Sequence, residues 1–278
     1  MHLLEFCKGI QLGEVAVRII VDYDMEESEY AELKQRFQTD RHSFFQHTTG
    51  AAGYRQKLLY LFVRFSIDAY GEYRVRGIAD KIYFDTFSDI RVWCEVCYRD
   101  YGEYGIEEYN WLQEHVRLRL FRLGRLQFQP IAFESDLKEG NLTVEKHQLV
   151  LNVHIPEGEP LTPQEVEHSF SLARAFFRGI PPIYTCRSWL LYPGLDNILK
   201  AESNILRFQR LFHIYEVDEA SREAEQRIFN RVTAVPSEYG EGTSLQCAAK
   251  AFLQNGGKLG RGCGIYVPET NNHFDQEV

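Results

Sequence analysis

The chain has 278 residues, 44% of them hydrophobic and 14% aromatic, with 31 Lys+Arg against 40 Asp+Glu and a formal net charge of -9. This composition excludes disordered, collagen-like and membrane-spanning classes, and the length is enough for two domains with separate cores. Residues 1–120 hold 15 Lys+Arg and 20 Asp+Glu and residues 121–278 hold 16 and 20, so neither half offers the basic surface that nucleic acid or an anionic membrane requires.

The opening MHLLEFCKGI has no basic region followed by a long apolar run. No uncharged stretch approaches the ~20 apolar residues of a membrane span. A cytoplasmic protein is expected. Residues 1–123 then read as a helical domain. EESEYAELKQRF (26–37) and YRQKLLYLFVRFSIDAYGEY (54–73) have helical spacing with little Gly or Pro. In DTFSDIRVWCEVCYRDYG, Asp85 or Thr86 stands as a cap ahead of a helix that ends at Gly102. Its apolar stripe is Ile90, Trp93, Cys94, Cys97 and Tyr101, spaced i, i+3, i+4, i+7 and i+11. Cys94 and Cys97 are the one close pair among six cysteines. No second Cys or His pair follows at zinc spacing, so they read as core thiols and no metal is expected. EEYNWLQEHVRLRLFRLG reads as a further helix closed by Gly124.

After Gly124 the period changes to two. Leu126, Phe128 and Ile131 alternate with Arg125, Gln127 and Gln129 as in a strand with one wet face, SDLKEGN reads as a turn, and HQLVLNVHI as a more apolar strand. EPLTPQEVEHSFSLARAFFRG is expected to be a helix with a capping box, Thr162 at N-cap, Pro163 at N1 and Glu165 at N3. Its stripe is Val166, Phe170, Ala173 and Phe177. Next come a strand IYTCRSWLL, a helix SNILRFQRLF, a strand HIYEV, helices around ASREAEQRIFN and TSLQCAAKAFLQN, and a last strand near GRGCGIYV. Residues 124–278 are therefore expected to form an α/β (α+β) domain, a mixed sheet with flanking helices.

Several residues in this second domain have chemical potential, each beside a plainer role. His154 and Glu157 stand at the end of a central strand, where an open sheet places its ligand crevice; either suits a general base, and a bonded strand histidine and a solvated turn glutamate are the plainer roles. Arg187, Ser188 and Trp189 interrupt an apolar strand. Ser188 suits an oxyanion donor with Trp189 as a wall, unless this is an edge strand. No Gly-x-Ser-x-Gly surrounds Ser188, which excludes the usual serine-hydrolase elbow. Ser203 or Asn204 caps the helix that follows, or meets substrate. Arg117, Arg119, Arg122 and Arg125 form a positive run suited to a phosphate or carboxylate between the domains, or to pairing with Glu114 on a wet helix face. The glycines of GEGT and NGGKLGRGCG match no Walker or dinucleotide fingerprint and read as loops and the start of a strand.

The element order, with FRLGRLQFQP, LNVHIPEGEPLTPQ, CRSWLL and SNILRFQRLF, resembles a bacterial family of acyltransferase-domain proteins. These pair a helical N-acyltransferase-type N-terminal domain with a GNAT-like C-terminal domain. The resemblance implies acyl transfer from acyl-CoA or acetyl-CoA to a small-molecule amine. His154, Glu157 and Ser188 would be catalytic, and Gly158, Leu161 and Thr162 of the loop and helix start would hold the donor pyrophosphate. Trp189, Asn204 and Arg122 would contact the acceptor. The loop IPEGEPLT departs from the family's Arg/Gln-x-x-Gly-x-Gly/Ala pattern, with one glycine between Glu157 and Glu159. The alternative is a non-catalytic ligand-binding protein that retains the fold, and a third reading is a hydrolase using Glu157 and Glu159. Oligomeric state is left open.

Overall fold

The computed structural model describes residues 1–139 and 142–268. The chain divides into two compact units between Leu123 and Gly124. Gly124 has φ 71°, and a Cβ there would meet Ser169 Oγ at 2.8 Å, so both the turn and the close approach require glycine.

The first unit is built on helices α1 (Leu3–Gly9), α2 (Glu14–Val21), α3 (Glu27–Thr39), α4 (Arg41–Thr49), α5 (Tyr54–Val75), α6 (Asp80–Phe87), α7 (Asp89–Tyr101) and α8 (Tyr109–Val116). Six successive residues of α5, Leu58 to Val63, are buried. A stretch buried on every side belongs at the centre of its domain, and α5 is flanked by α1, α2, α4, α6, α7 and α8. The core is largely aromatic: Phe37 stacks on Phe65 at 4.8 Å and Tyr83 packs edge-on to Tyr73 and Phe87 at 5.0 Å. Such ring pairs add about 0.5–1.5 kcal/mol each beyond their area.

Ile90, Cys94 and Cys97 are buried as the α7 stripe requires, and burial pushes the Cys97 thiol up to about 11 and Cys94 to about 12. The helix start differs from expectation. Asp85 and Thr86 lie inside α6, Ser88 separates it from α7, and the Thr86 hydroxyl accepts from the Arg122 N–H at 2.9 Å. The helix expected to run to Gly124 ends at Val116. Leu118 takes φ 54°, which breaks the helical path, and Phe121–Leu123 is a short strand, β1.

The second unit holds β2 (Leu126–Ala132), β3 (Leu137–Glu139), β4 (Leu142–Val144), β5 (Leu149–His154), α9 (Pro163–Phe176), β6 (Tyr184–Ser188), α10 (Asn204–Gln209), β7 (His213–Asp218), α11 (Glu223–Phe229), α12 (Ser244–Gln254) and β8 (Arg261–Tyr266). Its sheet runs β2-β5-β6-β8-β7, with β5 and β6 parallel and the other neighbours antiparallel. This is the mixed sheet with flanking helices that the pattern implied. The segment read as a turn, SDLKEGN, contributes β3 of a small hairpin, and its Gly140 and Asn141 lie outside the described residues.

β6 stops at Ser188, three residues short of the expected strand. The Ser188 hydroxyl accepts from the Leu190 N–H at 3.1 Å, turning Trp189–Leu191 into a short 3-10 helix. Gly262 of β8 permits this turn, because a Cβ there would strike the Leu191 carbonyl. β6 lies between β5 and β8, which overturns the edge-strand reading of Arg187–Trp189. Thr162 caps α9 by accepting from the Glu165 N–H at 3.3 Å, but the reciprocal half of the expected capping box is not formed among the described residues. On one sheet face Phe128, Phe170 of α9, Tyr184 and Tyr266 form an aromatic layer, with Phe170 and Tyr184 at 4.6 Å. On the other, Phe133, Val144, Val150 and Ile265 pack together.

Candidate active site

The parallel pair β5/β6 is joined only at Leu151↔Tyr184 and Asn152↔Thr185. Beyond that point the strands follow different neighbours: Val153 and His154 stay paired with Phe128 and Gln127 of β2, whereas Cys186, Arg187 and Ser188 stay paired with β8. The sheet therefore opens between the C-terminal ends of β5 and β6, the end where parallel strands place their ligands.

His154 stands at this opening. Period-two alternation puts Val150, Asn152 and His154 on one face, and cross-strand pairing brings Gln127 and Gln129 beside them. His154 Nε2 lies 3.1 Å from Asn152 Nδ2 and 3.1 Å from Gln129 Oε1. When the Nε2–H donates to the Gln129 oxygen, the basic lone pair is on Nδ1. His154 is half-buried and Gln127 is 1% exposed. The cluster is thus a histidine at an opening in the sheet whose Nε2 bonds one amide at a time: it donates to the Gln129 oxygen when it carries the proton and accepts from the Asn152 amide when it does not.

The loop after His154 has a buried Pro156 and exposed residues Glu157 to Pro160. Gly158 takes φ 109°, with open space where a Cβ would stand, so here glycine serves a turn. Leu161 is buried. Arg125 anchors the loop from beneath: its Nη2 and Nε donate to the Glu159 carbonyl at 2.6 and 2.9 Å, and its N–H donates to Ser169 Oγ at 2.8 Å. Arg117 and Arg122 of the arginine run also have local partners. Arg117 pairs with Glu114 at 2.8 Å, and Arg122 reaches Ser88 Oγ at 3.5 Å in addition to its N–H bond to Thr86.

Beside α9 lies a cavity of about 850 Å³, lined by Leu161, Pro163, Glu167, Phe170 and Arg174 on one side, Asn204, Arg207, Arg210 and Leu211 on another, and Tyr266 at the end of β8. Ser203 Oγ accepts from the Leu206 N–H at 3.2 Å and is the cap of α10, which resolves the choice between Ser203 and Asn204; Asn204 lines the cavity. Trp189 packs against the cluster of Tyr192, Leu195 and Phe229 and is outside this lining. Cys186 is fully buried, its thiol held in the neutral form by burial, which disfavours a nucleophilic role. Among the described residues no group of three or more His, Cys, Asp or Glu is placed to hold a metal, and no helix is long and apolar enough to cross a membrane.

Sequence reasoning reached His154 but missed Gln129 and Asn152 as its partners, and missed Arg174, Arg207 and Arg210. The two glutamine positions carried a signal, since they fall on the wet face of β2. The arginines carried a weaker one, the i, i+3 spacing of Arg207 and Arg210.

Residues 120–266 match the model of the GNAT-like C-terminal domain, and residues 1–118 that of the N-acyltransferase N-terminal domain. No curated protein matches the chain. Among solved structures it is similar to an acyltransferase in complex with decanoyl-CoA and teicoplanin, at 22% identity over 95% of this chain and 87% of that one, with a TM-score of 0.77. An acyltransferase complex with CoA and 10C-teicoplanin gives 22% identity, 95% and 86% coverage, and a TM-score of 0.77. At that identity the likeness carries the fold. The family models decide membership: this chain belongs to the GNAT-like C-terminal domain family, preceded by an N-acyltransferase N-terminal domain, in the two-domain arrangement of a GNAT-like acyltransferase.

Proposed function

We propose that the chain transfers an acyl group from an acyl-CoA thioester to an amine of a small-molecule acceptor, with His154 as general base. The observation that carries this reading is the two-rung β5/β6 ladder with His154 and its amide partners at the opening. The acyl-CoA and CoA complexes of the similar solved acyltransferases support the donor. The acceptor nitrogen attacks the thioester carbonyl carbon, the C–N bond forms, and the C–S bond breaks with its electron pair on the CoA sulfur. The ammonium proton passes to the histidine and then to the thiolate, giving an amide and free CoA. Gly158, Leu161 and Thr162 belong to the loop and helix start assigned to the donor pyrophosphate, where unpaired N–H groups favour an anion. Ser188, with its oxygen engaged at the turn, has a smaller part in this scheme than His154, and exposed Glu157 is the alternative base.

The test is the thermal midpoint with acetyl-CoA, decanoyl-CoA and CoA, followed by release of free thiol with amine acceptors. A ligand at ~100 times its Kd adds about 2.7 kcal/mol, a shift of several degrees for a chain of this size. No shift and no thiol release overturns the reading. A shift without thiol release for any amine favours the second reading, a ligand-binding protein that keeps the fold. Two exposed carboxylates, Glu157 and Glu159, in the donor loop speak for it.

A further inference from the structure

We infer that Gln129 is a positioning residue that keeps the proton of neutral His154 on Nε2, against the pull of Asn152, and so makes Nδ1 the base nitrogen. The inference deepens the acyl-transfer reading above and rests on it for the role of His154, whereas the position of the proton is a property of the protein alone. One ring nitrogen faces two amide groups of opposite kind. Asn152 Nδ2, a donor, and Gln129 Oε1, an acceptor, each stand 3.1 Å from Nε2. A neutral imidazole carries a single N–H, so Nε2 satisfies one of the two in each tautomer. With the proton on Nε2, the ring donates to Gln129 and the basic lone pair is on Nδ1. With the proton on Nδ1, the lone pair of Nε2 is engaged by Asn152, and neither nitrogen is ready to take a proton from an ammonium.

The sheet register builds this arrangement. Asn152 and His154 are two residues apart on β5 and share a face, and Gln129 is the cross-strand partner of Asn152, so its longer side chain reaches the ring on the diagonal. The two amides differ in how they serve the reaction. When His154 takes a proton the ring becomes an imidazolium with N–H on both nitrogens. The bond to the Gln129 oxygen persists through that step, whereas Asn152 finds no lone pair on Nε2 to donate to. Asn152 is also the more easily turned: among the described residues its side chain has no other bond, so its amide can rotate to offer Oδ1 when Nε2 has the proton. Gln129 is thus the partner that suits the ring both before and after proton transfer, and Asn152 is a competitor that yields.

The experiment records ring-nitrogen NMR of the full chain with 15N-labelled histidine at about pH 8.5, some two units above the ordinary histidine value. His154→Gln picks out the signals of His154 from those of the nine histidines. Wild type is expected to show a protonated Nε2 and an unprotonated Nδ1. In Gln129→Met the pattern is expected to reverse, and kcat in the thiol-release assay to fall roughly tenfold with KM for both substrates unchanged, because loss of one ordinary hydrogen bond shifts a two-state ratio by about that factor. Gln129→Met/Asn152→Leu is expected to return the proton to Nε2 and recover several-fold of the lost kcat, a rescue that a merely structural role of Gln129 does not produce. A wild-type ring with its proton on Nδ1 overturns the inference, and this spectrum decides the point even where a variant fails to fold. A Gln129→Met chain that loses turnover with the proton still on Nε2 also overturns it, as does a double variant no faster than the single one. A proton found on Nε2 in a chain that releases no thiol from any acyl-CoA overturns the acyl-transfer reading and, with it, the positioning role of Gln129.

Discussion

Two histidines of this chain sit among polar partners and have opposite surroundings. His115, near the end of α8, is 1% exposed; its Nε2 lies 3.0 Å from Asp89 Oδ2, which also accepts from Trp111 Nε1 at 2.9 Å. His154 lies between two neutral amides, half-buried, where two strands separate. By partner strength alone His115 looks the more firmly held, since a carboxylate is a stronger hydrogen-bond acceptor than an amide oxygen. Its location keeps it from substrate. A helix interior closed by aromatic and aliphatic side chains gives a substrate no approach, whereas the end of a parallel strand does.

The comparison can be broken most directly at His115. His115→Ala is expected to lower unfolding free energy by about 3 kcal/mol, because it takes a partner from a carboxylate that is 3% exposed, while turnover per folded molecule stays the same. Denaturant unfolding and a thiol-release assay on the same samples check both halves. His154→Ala is expected to do the reverse, cutting kcat/KM by about 100-fold with little change in unfolding midpoint. If His154→Ala destabilises like His115→Ala and spares turnover, the assignment of roles fails.

A smaller effect tests whether closed polar clusters in general are structural. Tyr239 donates to Glu225 at 2.5 Å, and Glu225, 4% exposed, also bonds Arg222. Tyr239→Phe is expected to cost about 1–2 kcal/mol in unfolding without altering donor affinity. The helical unit also has a pH signature. Burial raises Cys7 and Cys97 from 9.0 to about 11 and Cys94 to about 12. Folding therefore keeps these thiols neutral: their contribution is fully present below the ordinary thiol value and is lost as pH rises toward the folded values. Stability is expected to fall from about pH 9 upward, and Cys247, the exposed thiol, is expected to react first with a thiol reagent at pH 8. The smallest change is Asn204→Ala, a few-fold rise in acceptor KM with stability unchanged.

The elements were legible wherever local chemistry decides them. The α9 stripe Val166, Phe170 and Ala173, the Thr162 cap and the α7 core thiols follow from spacing, and the mixed-sheet class follows from the period change. Errors fell where a local backbone event with no composition signal ends an element: the Ser188 hydroxyl that bonds the N–H two residues on and stops β6, and the positive φ of Leu118 that stops α8. The site was legible only in part. His154 stands out as a polar residue at a strand end, but its two partners depend on the β2/β5 register, and the opening depends on how many rungs β5 and β6 share. The arginines come from helices whose nearest contributing residues, Arg174 and Arg207, are separated by a strand and two short turns, so no linear pattern joins them.

The brevity of the β5/β6 ladder has a mechanical meaning. Each of its strands is held on its far side by a longer ladder, six pairs from β2 to β5 and five from β6 to β8. The gap thus has stiff walls, set by strand twist and divergence instead of by a segment that swings shut. A molecule entering it meets a frame whose ordering was completed when the chain folded, so little conformational freedom is surrendered at the moment of capture. The same stiffness works against letting go: a frame that does not yield for entry does not yield for departure, and residence time in such a gap is governed by how many contacts the departing molecule must break at once.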